Sequence, residues 1–184
     1  MCGRYFLDPD SSALAAYLED QAKEFAVNEI FPSQKALVLI KDKTMKASIV
    51  PWGFKKWDSN QKIINARMET VTTSPFFKES FQKRKAIVLA NGFYEWDQHK
   101  NRFYISHQSE SLLPMAAIIQ EDDVGFAILT QAAQPSFALH HRQPIVIFEH
   151  QFDDYLTNKL DIVLSSPQTI DFKITTMQQQ TTLF

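Results

Sequence analysis

The sequence has a single cysteine, Cys2, and only four glycines in 184 residues. One cysteine excludes an intramolecular disulfide framework, and a free thiol suits a reducing cytoplasm. A zinc site built on cysteines is excluded too, and no histidine cluster beyond His140-His141 offers another metal set, so no metal or other cofactor is expected. No apolar run is long enough to span a membrane, and the chain opens on Met-Cys-Gly-Arg rather than on an apolar leader. Repeats and low-complexity segments are absent. There is neither a glycine-rich phosphate loop nor a strand–helix alternation, which rejects a nucleotide-binding α/β fold.

What is present is an ordinary globular composition, 45% hydrophobic and 22% charged, on a chain long enough for one domain with a sizeable core. The net charge is only −2, but it is unevenly spread. Between Lys55 and Val88 lie Lys55, Lys56, Lys62, Arg67, Lys78, Lys83, Arg84 and Lys85, against Asp58, Glu69 and Glu79, so this window carries +5. A basic patch on an otherwise acidic chain suits a phosphate-bearing ligand held at one place, or else is a solvated face.

The element pattern is short strands with brief connections. Ser11 to Ala26 reads as an amphipathic helix on Leu14, Leu18, Ala22 and Phe25. Ala36–Ile40 and Lys46–Val50 read as a hairpin, and Ser74-Pro75 as the start of a helix reaching Arg84. Strands are expected at Ala86–Ala90, Phe93–Trp96, Arg102–Ser106, Met115–Ile119, Gly125–Thr130 and Pro144–Phe148. A short helix is expected over His150–Leu156, a strand or loop at Asp161–Leu164, and a polar, mobile tail from about residue 178. This predicts an α+β protein: a mainly antiparallel sheet forming a barrel-like core, flanked by few helices, as one domain over 1–184.

The chemistry is expected at Cys2. If Met1 is removed, Cys2 carries a thiol (ordinary pKa about 8.5) and an α-amine (about 7.7–8.0) on adjacent carbons. Such a 1,2-aminothiol condenses with an aldehyde: the amine forms a Schiff base, and the thiol closes it to a thiazolidine. Glu95 stands in an aromatic strand, Phe93-Tyr94-Glu95-Trp96, where a raised pKa would suit proton transfer. His140 can shuttle protons near neutrality. Asn65 and Arg67 lie two apart and share a face if the stretch is extended. Arginine offers a fork for phosphate, asparagine a bond to a sugar oxygen or to the terminal amine. Trp52, Trp57, Phe54 and Trp96 could stack bases or pack a core.

These residues form an ordered set: Met-Cys-Gly-Arg, Trp52-Gly53, Asn65-Ala66-Arg67-x-Glu69-Thr70, Gly92-Phe93-Tyr94-Glu95-Trp96 and His140-x-Arg142-x-Pro144. Together they resemble the SRAP (SOS-response-associated peptidase) family, over residues 1 to about 148. The resemblance implies a sensor of abasic sites in single-stranded DNA that forms a thiazolidine crosslink and has an associated lyase activity. The protein would be cytoplasmic and monomeric. Carried over, Cys2 is the nucleophile, Asn65 holds the sugar or terminus, Glu95 handles protons and His140 assists ring opening, with Thr130 nearby. Arg4, Arg67 and Arg142, with Trp52, Trp57 and Trp96, are the expected DNA contacts. Glu29 stands where the family has an asparagine, and Pro75 where an arginine is frequent. Two alternatives remain: a cysteine peptidase using Cys2, whose substrate could be only Met1 of its own chain, and a non-covalent reader of single-stranded or modified DNA.

Overall fold

The computed structural model describes residues 2–8, 10–14, 17, 28–159 and 169–177. In chain order the elements are β1 (Tyr5–Phe6), β2 (Glu29–Ile30), β3 (Lys35–Lys41), β4 (Met45–Pro51), β5 (Phe54–Lys55), β6 (Lys62–Ile63), β7 (Asn65–Arg67), α1 (Met68–Val71), α2 (Lys78–Lys83) and β8 (Lys85–Val88). They continue with β9 (Gly92–Trp96), β10 (Arg102–His107), β11 (Met115–Ile119), β12 (Phe126–Ala132), β13 (Arg142–Pro144), α3 (Phe152–Leu156) and β14 (Phe172–Met177).

The strands form a five-stranded sheet, β14-β10-β9-β1-β2, and a larger sheet, β13-β12-β11-β8-β3-β4, to which β7 adds in parallel beside β12. The other named strand pairs are antiparallel. Among the described residues the strand orders do not close on themselves, so the expected mainly antiparallel α+β core is present as open sheets, with β5–β6 as a further two-stranded pair. The reason is legible at β4, whose largely solvated residues leave it an edge rather than a seam to close.

The central strands β8 and β11 are buried along their whole length. The apolar runs Ala86–Val88 and Met115–Ile119 are what strands covered on both faces require. On one side sit α2 and α3, where the Tyr155 hydroxyl donates to the Ala117 carbonyl oxygen (2.8 Å). Lys85 is the one basic residue of β8. Its ammonium donates to the Phe81 carbonyl oxygen (3.0 Å) and to Asn158 Oδ1, and burial lowers its pKa to about 8. On the other side the sheets meet through aromatics: the Tyr5 ring contacts Trp52 at 5.1 Å, and Trp52 stacks on Phe126 at 6.2 Å. Gly53, which follows Trp52, has φ 121° and donates its N–H to the Phe126 carbonyl oxygen (2.7 Å). A side chain there would be strained by φ and would press on Lys62.

Several expected boundaries shift. The hairpin β3–β4 and strand β11 lie where the pattern puts them. Of the expected Ser11–Ala26 helix, Ser12–Leu14 forms a single 3₁₀ turn, and most of the remainder lies outside the described residues. The helix after Ser74 begins at Lys78, because the Ser74 carbonyl oxygen accepts from Phe77 and Lys78 N–H groups in a preceding turn. The strand expected at Pro144–Phe148 ends at Pro144, with Val146 making an isolated bridge to Met115. The last strand, β14, was not expected: its six residues are mostly exposed, and pairing with β10 rather than apolar periodicity holds it. Asp161–Leu164 and the tail from 178 lie outside the described residues.

Candidate active site

Four strands distant in sequence bring the polar candidates to one junction between the sheets. Cys2 precedes β1, which pairs with β9 so that Tyr5 faces Phe93; the Tyr94 N–H then donates to the Arg4 carbonyl oxygen (2.9 Å). This sets Glu95 beside the N-terminal segment. Strand β7 lies along β12 with Asn65 opposite Ile128 and Arg67 opposite Thr130. Strand β13 pairs with the same stretch of β12, Thr130 facing Pro144 and Ala132 facing Arg142, which brings in His140.

The contacts are specific. Asn65 Nδ2 donates to the Cys2 carbonyl oxygen (2.9 Å), while its Oδ1 is buried and without a hydrogen-bond partner among the described residues. The Cys2 side chain is 1% exposed and its Sγ donates to the Arg4 carbonyl oxygen at 3.8 Å. Burial pushes the Cys2 thiol pKa well above its ordinary value, and the Glu95 carboxylate pushes it the same way. Glu95 is 4% exposed, with Oε1 4.0 Å from His140 Nδ1. Burial lowers the His140 pKa below its ordinary value, against the opposite pull of Glu95. The Arg142 N–H donates to His140 Nδ1 at 2.9 Å. The same Nδ1 lies 3.3 Å from the Arg142 carbonyl oxygen, and the shorter contact with the N–H favours an accepting Nδ1 with the proton of the neutral ring on Nε2.

Asn65 and Arg67 share a side of β7, with Ala66 turned into the core between them. Arg67 is exposed. Arg4 lies with its guanidinium over the Phe31 ring (4.2 Å) and the Trp96 ring (5.3 Å), and pairs with Glu29 at 3.0 Å. An arginine held by ring faces keeps its N–H edges directed.

Two expected DNA contacts are placed elsewhere. Trp52 is fully buried, packed between Tyr5 and Phe126, and its Nε1 donates to the Ile64 carbonyl oxygen (3.0 Å), so no ring face is left for a base. Arg142 is buried and forks onto Glu69 (2.8 and 2.9 Å), with Nη2 also donating to the Thr130 carbonyl oxygen (2.6 Å). That guanidinium ties β13 to α1 and β12 instead of meeting phosphate, and the same contact lowers the Glu69 pKa. Trp57 is 87% exposed, edge-on to Phe76. It lines an open cavity of about 710 Å³ whose rim includes Lys55, Lys83 and Arg84 but also Glu79, Glu121 and Asp122, a poor surface for a polyanion. Sequence reasoning missed Phe31 and Arg102 at the Arg4 corner, and the tie between Glu69 and Arg142. Only the i, i+2 spacing of Asn65 and Arg67 carried a local signal. Among the described residues no group of three His, Cys, Asp or Glu side chains could hold a metal.

A mostly antiparallel fold with three short helices among the described residues, gathering Cys2, an asparagine, a glutamate and a histidine at one junction, defines a recognisable class. The chain belongs to the SOS response associated peptidase (SRAP) family, whose profile matches residues 1–179. It is 30% identical over 167 residues to the abasic site processing protein YedK of Escherichia coli, covering 80% of this chain and 75% of that protein. To the abasic site processing protein YoaM of Bacillus subtilis it is 24% identical over 189 residues, covering 86% and 80%. In three dimensions it is similar to crystal structures of proteins from Bacteroides thetaiotaomicron (TM-score 0.78, 17% identity, 96% of this chain and 92% of that one) and Bordetella bronchiseptica (TM-score 0.77, 16% identity, 97% and 100%). No helix among the described residues is long and apolar enough to cross a membrane.

Proposed function

We propose that this chain processes abasic sites in single-stranded DNA by forming a covalent link through Cys2 once Met1 has been removed. The observation that carries this reading is the contact of Asn65 Nδ2 with the Cys2 carbonyl oxygen at 2.9 Å, beside the buried, unpartnered Asn65 Oδ1. A buried acceptor next to the Cys2 backbone suits a free terminal amine, which is the group the chemistry needs first.

The Cys2 amine attacks the aldehyde carbon of the ring-opened sugar, giving a carbinolamine. Loss of one water leaves the Schiff base. The thiol then adds to that carbon, forming a C–S bond and passing its proton to nitrogen, which completes the thiazolidine. The buried, protonated thiol supports this order, amine before sulfur. Glu95 relays protons between the terminus, the carbinolamine hydroxyl and the sugar oxygen. His140, with its proton on Nε2, assists ring opening and reversal. Elimination from the Schiff base before ring closure would cleave the strand, which is the lyase outcome. Arg4 and Arg67 hold the flanking phosphates, Trp96 braces Arg4, and the DNA is single-stranded so that the sugar can reach the junction. A peptidase reading finds less support, because the Cys2 thiol donates to the Arg4 carbonyl oxygen rather than to an imidazole.

The test is intact mass and denaturing electrophoresis of Met1-free protein incubated with abasic single-stranded DNA. The expected result is one covalent adduct lighter by one water than the sum of its parts. Cys2→Ala should lose it, and a stable adduct of normal yield in that variant would overturn the thiazolidine mechanism.

A further inference from the structure

Beside Cys2, at one end of the five-stranded sheet, two guanidinium groups converge on a single carboxylate oxygen. Glu29 Oε1 lies 3.0 Å from Arg4 Nη1 and 2.5 Å from Arg102 Nη2. All three side chains are partly exposed, at 27–29%. Among the described residues, two cations on this one anion leave the corner with one positive charge in surplus. Neither arginine depends on Glu29 for its place. Arg4 lies over the Phe31 and Trp96 rings, and Arg102 lies 3.9 Å over the Tyr94 ring. The faces are fixed by aromatics, so only the N–H edges exchange partners. Arg102 also has a buried Nε without a hydrogen-bond partner among the described residues, a donor still unspent. Glu29 itself stands on β2, the last strand of its sheet among the described residues, and is half-buried.

We propose that Arg4 and Arg102 form a phosphate-binding subsite for the DNA backbone, and that Glu29 occupies it until a phosphate displaces the carboxylate. Carboxylate and phosphodiester present the same pair of oxygens to a guanidinium fork. Because the corner is partly hydrated, releasing Glu29 to water costs little, and two arginines held at one spacing gain a ligand that neutralises the surplus charge. Glu29 thereby sets the affinity: the protein binds backbone less tightly than its arginines would allow. This inference takes its ligand from the single-stranded DNA reading above, but it does not depend on the crosslinking chemistry.

The experiment measures equilibrium binding of undamaged single-stranded DNA by fluorescence anisotropy across a salt series, for the wild type, Glu29→Gln, Arg102→Gln and the double variant. Displacement predicts that Glu29→Gln binds roughly three- to tenfold tighter. The slope of log affinity against log salt should steepen by up to about 0.7, the value for one further phosphate contact on a single strand. Arg102→Gln should bind more weakly, and the double variant should lose the gain. Should Glu29→Gln lower the melting temperature, Glu29→Asp, which keeps the charge on a shorter stem, is expected to show an intermediate gain. Unchanged or weaker binding by Glu29→Gln at wild-type stability overturns the proposal and makes Glu29 a fixed brace for Arg4. Wild-type protein that binds undamaged DNA with the predicted variant pattern yet forms no adduct would sink the crosslinking reading while leaving this one standing.

Discussion

The seven-stranded sheet and the junction at Cys2 are built on opposite principles. Strands β8 and β11 are buried end to end, with Lys85 as their one charged residue. At the junction the buried groups are polar: Glu95, Thr130, Arg142 and Gln143 are all sheltered within or beside the strands that hold His140 and Asn65. Burying polar groups costs stability unless each is bonded. The junction therefore shows where the fold gives up apolar packing for a buried polar cluster. Arg142 sits on the boundary, since its side chain serves the scaffold while its backbone N–H sets the His140 ring.

The comparison breaks most sharply at Glu95. Glu95→Gln keeps the shape but cannot exchange a proton, so single-turnover crosslinking should slow by roughly 10²–10⁴ while binding of undamaged DNA changes little. A wild-type rate at every pH from 5 to 9 would make Glu95 a structural residue and leave His140 as the leading proton carrier.

The mirror experiment is in the core. Ile87→Ala should cost about 2–5 kcal/mol in denaturant unfolding and leave the crosslinking rate of the folded fraction intact. Arg142→Ala should fall between the two. Losing the partner of the Thr130 carbonyl and a half-exposed ion pair should cost about 1–3 kcal/mol and slow the chemistry through a displaced His140, without lowering the salt slope of DNA binding. A slope reduced by about 0.7 would return Arg142 to the phosphate contacts.

His140 gives a smaller, pH-dependent effect. Burial lowers its folded pKa below the unfolded value of about 6.5, so the folded state resists protonation. Stability is then fully retained above pH 6.5 and declines as pH falls through the folded pKa. His140→Gln should flatten that decline in melting temperatures taken between pH 7 and 5. A ¹⁵N spectrum of the imidazole should show the Nε2–H tautomer at pH 7, and an Nδ1–H signature would refute the assignment from the Arg142 N–H. The smallest effect belongs to Arg67: its replacement by alanine should lower the salt slope by about 0.7, and an unchanged slope would remove it from the interface.

The comparison also divides what was legible. Strand β11 and the β3–β4 hairpin were readable because their signals, apolar runs and a polar turn, are local. The Ser74-Pro75 cap signal put the helix start too early because a turn stabilised by the Ser74 carbonyl comes first. Trp52 and Trp57 are chemically identical and five residues apart, yet one is fully buried and the other is 87% exposed. Arg67 and Arg142 both read as DNA contacts, and only the pairing of β13 with β12 beside α1 spends Arg142 on Glu69.

By itself the sequence singled out Cys2 as the candidate nucleophile, since it is the lone thiol. It also determined the mainly antiparallel character, through short apolar runs and brief connections, and the side of β7 shared by Asn65 and Arg67, through the two-residue period of a strand. The tertiary structure alone decided that the sheets stay open and that Trp52 is core. It also decided that Arg142 is a tie and that Glu29 closes on Arg4 and Arg102. The physical reason is one of range. Backbone period and side-chain chemistry are written in neighbouring residues, whereas burial and charge pairing depend on residues 73 apart, the separation that joins both Arg102 to Glu29 and Arg142 to Glu69.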